Sequence, residues 1–528
     1  MDKHQTPSII SICLLLLLIT GGVFARPTTP QEAMLVVSGW LAGNAEPFDV
    51  PLGNLAVDVQ TVTGEVGEPM YYIVRLSPSG VAIVPADDLI EPILGFTEAQ
   101  NYEPNDHDPL TALITADLNR RLADAYAAGA FGRLQAQSAT ETQTRWGDLI
   151  SKAGLAQSDL SILGLQTVSD IRVAPFLKTR WAQGDVCSSH CYNYFTPGNN
   201  PCGCVATSMA QLLYYYRQPT TGVGQHSFTI HVLGRERSAS TRGGDDVGGP
   251  YRWADMVASP DCSSTVEQRK AIGALCYDVG IAIRMSYAPD GSGADGFAIV
   301  PAFKSLFGFS NGISGANNGR NIGAALAGMV NPNLDAQYPV ILGITGKSGH
   351  AVLVDGYGYD QSTRAKTIYH HVNMGWAGHE DIWYNLPAIG DYDTVPVCIY
   401  NVYVEGTGEI ISGRVTDASG QPLSGVAIRA DLQAKRYETM TNDKGIYALA
   451  KLPSASLFAV RADKFGFTFT KQTVATGTSL DRQASAGNKW GVDFVGTRTT
   501  KGTPADVNPA EPQPSLDSTS PEAPLTAN

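Results

Sequence analysis

Cys202-Gly203-Cys204-Val205-Ala206-Thr207-Ser208-Met209-Ala210-Gln211-Leu212-Leu213-Tyr214-Tyr215-Tyr216 is the stretch on which the reading of this chain turns. Apolar residues at 205, 209, 212, 213 and 216 recur near helical spacing, and Pro219 marks the stop. The pattern therefore predicts a helix that opens on a glycine turn with Cys204 at its first position. A thiol there faces unpaired backbone N–H groups and the positive end of the helix dipole. Both favour the thiolate, the reactive form of cysteine.

One activated thiol needs a base, an orienter and an oxyanion donor before it becomes a hydrolase. Of the nine histidines, His350 is the best base: it follows Gly349, opens an apolar strand, and lies 146 positions after Cys204. That spacing falls inside the range of about 130–150 seen in papain-like enzymes, whose order is Cys, His, Asn. Asn373 ends the next strand, before Gly375-Trp376. Its amide is placed to accept from the imidazole, and Trp376 to shield that bond from water. Upstream, Gln183 in Trp181-Ala182-Gln183-Gly184 offers a side-chain amide to the oxyanion beside the Cys204 N–H. Each residue alone has an ordinary structural explanation; four in the right order are harder to explain so. His370-His371 and His379-Glu380-Asp381 contain metal-type ligands without a recognised spacing. No cofactor or metal is implied.

Around this centre the chain divides. Its 528 residues imply two to four domains. A net charge of −13 leaves no basic face for phosphate and excludes a nucleic-acid binder. Lys3-His4, the apolar run Ile9–Ile19 and Val23-Phe24-Ala25 read as a cleaved export signal over 1–25, and no later run is apolar enough to span a bilayer. Residues 26–133 read as a small α+β domain with helices over 30–42 and 110–128, strands over 71–76 and 81–85, and Asp87-Asp88 as a solvated turn. The polar run Leu134–Thr144 reads as an exposed linker within a 134–176 maturation region, where proteases cut most easily. Residues 177–406 read as a two-lobed α+β unit, with helices early (Val266–Val279, ending at Gly280) and strands late (Ile281–Tyr287 onward). Residues 409–497 show the short strands and Asp/Asn/Gly turns of a β-sandwich, and 499–528 the composition of a disordered tail. Cys187, Cys191, Cys202 and Cys262 are candidates for local bridges and Cys276 for a packed thiol; the sequence leaves the pairing of these and Cys398 open.

Three motifs carry a family resemblance: Gly203-Cys204-Val205-Ala206-Thr207-Ser208-Met209-Ala210-Gln211, Gly349-His350-Ala351-Val352-Leu353-Val354-Asp355-Gly356-Tyr357, and His371-Val372-Asn373-Met374-Gly375-Trp376-Ala377-Gly378. Over about 177–390 the chain resembles the streptopain family, secreted papain-like cysteine endopeptidases of bacteria. The resemblance implies Cys204 as nucleophile, His350 as base, Asn373 as orienter and Gln183 as oxyanion donor, with Trp376, Met374 and Gly349 walling the site. Met374 stands where family members often carry Trp. Residues 26–133 resemble the family's inhibitory propeptide, which implies a zymogen with its own prodomain as inhibitor and protein or peptide substrates. Residues 409–497 resemble a carboxypeptidase regulatory-like β-sandwich, a module suited to cell-surface or matrix contact. The expected product is thus a papain-like α+β cysteine peptidase, exported, between an α+β prodomain and an all-β sandwich. A catalytically silent adhesion protein on the same scaffold, and a transpeptidase or amidase, are the alternatives.

Overall fold

The computed structural model describes residues 26–42, 46–99, 102–105, 108–129, 133–155, 169–344, 349–361, 366–386 and 395–499. The expected export signal, the connector 156–168, most of the turn before His350 and the tail from 500 lie outside the described residues.

An eleven-stranded sheet organises the first three-quarters of the chain. Its strands are β1 (Leu55–Thr63), β2 (Pro69–Ser77), β3 (Val81–Pro85), β4 (Gly95–Thr97), β5 (Ser169–Val173), β6 (Asn311–Ala316), β7 (Val340–Ile344), β8 (His350–Asp360), β9 (Thr367–Asn373), β10 (Ile382–Tyr384) and β11 (Val397–Tyr403). They lie in the order β1-β2-β3-β4-β10-β9-β8-β7-β11-β6, with β5 added against β8. The join between N-terminal and later strands is antiparallel pairing of β4 with β10, Phe96 opposite Trp383 and Gly95 opposite Tyr384.

Side chains alternate across the strands, so the sheet has two apolar faces. On β8, Ala351 and Leu353 face the core that holds α4 (Cys204–Tyr216), while Val352 and Val354 face the opposite one. That opposite core also contains Leu110, Leu113, Ile114 and Leu118 of α2 (Pro109–Gly129) and Tyr71 and Ile73 of β2. The N-terminal segment therefore does not enclose a separate core; it shares one with the later strands. Helix α4 is buried on every side from Val205 to Leu213. Complete burial of Met209, Leu212 and Leu213 stabilises it by about 1.5–3 kcal/mol each. It ends as Arg217 turns to φ 52°, its N–H capping the Leu213 and Tyr214 carbonyls.

Three expectations are corrected. The polar run 134–144 is not a linker but part of α3 (Arg133–Lys152), which packs Trp146 and Leu149 against α1 (Pro30–Ala42), with Trp146 Nε1 donating to the Ile90 carbonyl at 2.8 Å. Asp87 and Asp88 are buried, not solvated; Asp88 accepts from the Arg26 N–H and from Gln143. Gly280 does not stop its helix: α5 runs from Val266 to Ala282, and only Ser286–Tyr287 of the expected strand forms. The glycine there serves close approach, since a Cβ would stand 2.1 Å from the Tyr287 hydroxyl.

The C-terminal strands form two four-stranded sheets facing across a core that includes Ile411, Val415, Ile428, Tyr447, Phe458 and Val460. This is the sandwich its alternation predicts.

Candidate active site

Helix α4 and strand β8 meet edge to end, and the contact fixes Cys204 beside His350. Gly203 precedes the helix with φ +89°, and a Cβ there would lie 2.7 Å from the Ser292 carbonyl, so only glycine fits the turn that presents the thiol. Thr207 Oγ1 donates to the Ala182 carbonyl at 3.1 Å and Ser208 Oγ to the Ala351 carbonyl at 3.0 Å. The first ties α4 to the Gln183 loop, the second to the strand that opens on His350.

The Cys204 thiol is hydrogen-bonded to His350 and also receives backbone N–H groups of Ala351 and Val205. Burial pushes the thiol up, but the hydrogen bond and charge of His350 outweigh it, and the thiol ends below its ordinary value. Burial pulls the imidazole down, but Cys204, the Met374 carbonyl and Asp108 reverse this, and His350 ends above its ordinary value. Opposite displacements within one pair favour thiolate and imidazolium together. The remaining thiols contrast with it: Cys191, Cys202, Cys276 and Cys398 are buried, and burial pushes Cys191 up to about 12. Cys187 and Cys262 form a disulfide that staples the loop before α4 to the loop before α5.

Asn373 is not where the spacing argument put it. His350 Nε2 bonds the Met374 carbonyl at 2.9 Å. A carbonyl only accepts, so Nε2 carries the proton and Nδ1 is left for the thiol. Asn373 Oδ1 instead accepts the Gly375 N–H at 3.0 Å, and its Nδ2 donates to the Thr179 carbonyl at 2.9 Å. The Met374 carbonyl and Gly375 N–H belong to one peptide unit, so Asn373 supports the imidazole at one peptide's remove. Gly375 (φ +71°), Ala377 (φ +57°) and Gly378 (φ +81°) curl the chain after β9, and the Met374 carbonyl, not the Asn373 amide, meets the ring. Met374 is corrected too, for its side chain is fully buried in the core behind the sheet and forms no wall of the site.

Gln183, Gly349 and Trp376 line the same cavity of about 1030 Å³ as Cys204 and His350. The indole of Trp376 stands edge-on to the imidazole, centroids 6.4 Å apart. His370 and His371 are elsewhere: His370 Nε2 meets Asn331 Oδ1 at 2.7 Å, and His371 Nδ1 meets Asp355 Oδ1 at 2.6 Å.

Sequence reasoning found no chemistry in residues 26–133, yet Asp108, Pro109 and Ala112 line the cavity too. Asp108 caps α2, accepting from the Leu110 N–H at 2.9 Å and the Thr111 hydroxyl at 2.6 Å. Asp-Pro is a legible helix start; nothing local to it says that the cap reaches His350. Glu380 faces Asp108, and burial together with that neighbouring carboxyl pushes Glu380 up.

Residues 181–384 match the Peptidase C10 family and residues 410–485 the carboxypeptidase regulatory-like domain. The chain is 23% identical over 350 residues to streptopain of Streptococcus pyogenes serotype M1, covering 64% of this chain and 78% of that protein. It is 27% identical over 177 residues to the thiol protease/hemagglutinin PrtT of Porphyromonas gingivalis, covering 33% and 19%. Among solved structures, a prointerpain A fragment from Prevotella intermedia aligns with a TM-score of 0.45 at 22% identity, over 66% of this chain and 99% of that one. The chain thus carries a cysteine-peptidase domain of the C10, or streptopain, family, followed by a carboxypeptidase regulatory-like domain.

Proposed function

We propose that the protein is an exported cysteine endopeptidase made as a zymogen. The observation that carries this reading is the Cys204–His350 hydrogen bond, with the thiol lowered and the imidazole raised, inside a cavity that reaches solvent. In the reaction, the Cys204 thiolate adds to the scissile carbonyl and the carbonyl electrons move to oxygen. The oxyanion lies toward the Cys204 N–H, which as a first-turn group has no partner within its helix, and toward the Gln183 amide. The C–N bond then breaks, and His350 gives its proton to the leaving amine. Water, deprotonated by His350, attacks the thioester and releases acid and thiolate. The Met374 carbonyl holds the ring through both proton transfers.

The N-terminal segment supports the zymogen reading, because the start of α2 forms part of the cleft wall. Maturation is proposed in the connector after Lys152 and not in 134–144, since a protease needs extended chain and α3 is helical. Export rests on the N-terminal apolar run.

Casein hydrolysis by the matured, reduced protein tests the reading. Cys204→Ala should abolish it. Gln183→Ala should lower kcat by about 10²–10³-fold with little change in KM. Activity that survives Cys204→Ala rejects the proposal.

A further inference from the structure

The third member of the site is a backbone carbonyl, and a carbonyl is only as well placed as the residue that owns it. Two side chains grip Met374 and its neighbour. Asn373 holds the Gly375 N–H from one side. From the other, Asp381 Oδ1 accepts the Met374 N–H at 3.0 Å. Asp381 lies at the edge of β10, seven residues on, so this bond closes the loop 374–380 across its base. Within the loop, the His379 N–H reaches the Trp376 carbonyl at 3.0 Å and the Ala377 N–H the Trp181 carbonyl at 3.1 Å. Among the described residues, the only side-chain carboxylate bonded to the residue that orients His350 is Asp381.

We propose that Asp381 is a positioning residue for the Cys204–His350 pair, acting through Met374. It touches neither substrate nor thiol. Its carboxylate makes a charge-assisted bond that fixes the rotation of Met374, and so keeps the carbonyl 2.9 Å from His350 Nε2. Behind it, His371 is held by Asp355, whose second oxygen accepts the Leu177 N–H at 2.8 Å. That buried pair anchors β9 and β8 where the loop departs. The charged groups around the unit are His371 and Asp355 on the sheet, Arg180 from the segment before α4, Glu380 beside Asp381, and Asp108 from α2. His350 itself faces Cys204 and Asp108.

This inference rests on the peptidase reading, and one experiment separates the two. The rate of Cys204 alkylation by iodoacetamide is followed against pH in the full chain for wild type, Asp381→Ala and Asp381→Asn, with kcat and KM after maturation. Asp381→Ala removes the acceptor. Its kcat should fall about tenfold, as expected for loss of one charge-assisted bond, with KM within about twofold. Its fast alkylation should begin only at higher pH than in wild type, because an imidazolium whose acceptor is no longer fixed stabilises the thiolate less. Asp381→Asn keeps an oxygen opposite the Met374 N–H and should restore most of the rate and the profile. A wild-type profile for Asp381→Ala, or equal impairment of both variants, overturns the proposal. A wild type that alkylates like an ordinary thiol overturns the peptidase reading instead. If Asp381→Ala exposes the buried cysteines to the reagent it has unfolded, and Asp381→Asn decides: a wild-type profile supports the proposal and a displaced one sinks it.

Discussion

The peptidase core is gripped at two ends by different means. The N-terminal unit joins it through continuous β-pairing at β4–β10, a shared apolar core, and side chains such as Trp40 to Asp360 at 2.9 Å and Tyr384 to Asp117 at 2.7 Å. The C-terminal sandwich joins mainly through polar side chains, with Trp490 packed beside Tyr357: Asn401 bonds both Asn333 and Asn488, Ser412 donates to Asp335 at 2.7 Å, and Arg414 reaches Asp170 at 2.7 Å. Among the described residues, only the first of these units lines the cleft. β10 directly follows the loop that carries Met374, and α2 brings Asp108 to the cavity. The contrast teaches that the two flanking units stand differently to the chemistry: the N-terminal one lines the cavity that holds Cys204, and among the described residues the sandwich contributes none of its lining.

Matched substitutions put that contrast at risk. Asp108→Ala removes a helix cap worth about 1 kcal/mol and should loosen the docked N-terminal unit about fivefold, read as faster self-processing. Ser412→Ala at the other end should leave processing within about twofold of wild type. Equal acceleration by both would erase the distinction.

A pH dependence sharpens it further. The Glu380 carboxyl is raised in the docked state, so docking takes up a proton. Docking is therefore strongest below the ordinary carboxyl range and weakens as pH rises through the raised value. In the inactive Cys204→Ala chain, the melting temperature should fall toward alkaline pH, and Glu380→Gln should flatten that fall. A slope unchanged by Glu380→Gln would remove the carboxyl pair from the account.

The smallest effect on chemistry is expected at the sandwich junction. Burial pushes Asp335 up to about 7, between the hydroxyls of Tyr357 and Ser412. The folded chain keeps a proton there that the unfolded chain gives up near pH 4. Stability at the junction is thus greatest below that point and declines up to about 7. Calorimetry should show the decline, and Asp335→Asn should remove it while casein hydrolysis stays unchanged.

How much of this the sequence carried depends on how local each cause is. Cys204, His350 and Gln183 were legible because a glycine turn, a helix start and a strand start are written in adjacent residues. Asn373 lies near the imidazole but without the expected contact, since its amide is taken up by the Thr179 carbonyl and the Gly375 N–H. The run 134–144 read as a linker because it is polar, and the large apolar residues that anchor its helix, Trp146 and Leu149, come after it. Asp108 was invisible beside the site because it arrives from a distant helix, and Asp381 stood out only as a metal-type ligand, since its bond to the Met374 N–H leaves no local signature.

The most direct test of the central claim is the pH dependence of Cys204 alkylation in wild type and in His350→Ala. The account predicts fast alkylation of wild type well below the ordinary thiol pKa of about 8.5, lost when the imidazole is removed. A wild-type curve that follows an ordinary thiol, or one that His350→Ala leaves in place, would contradict it.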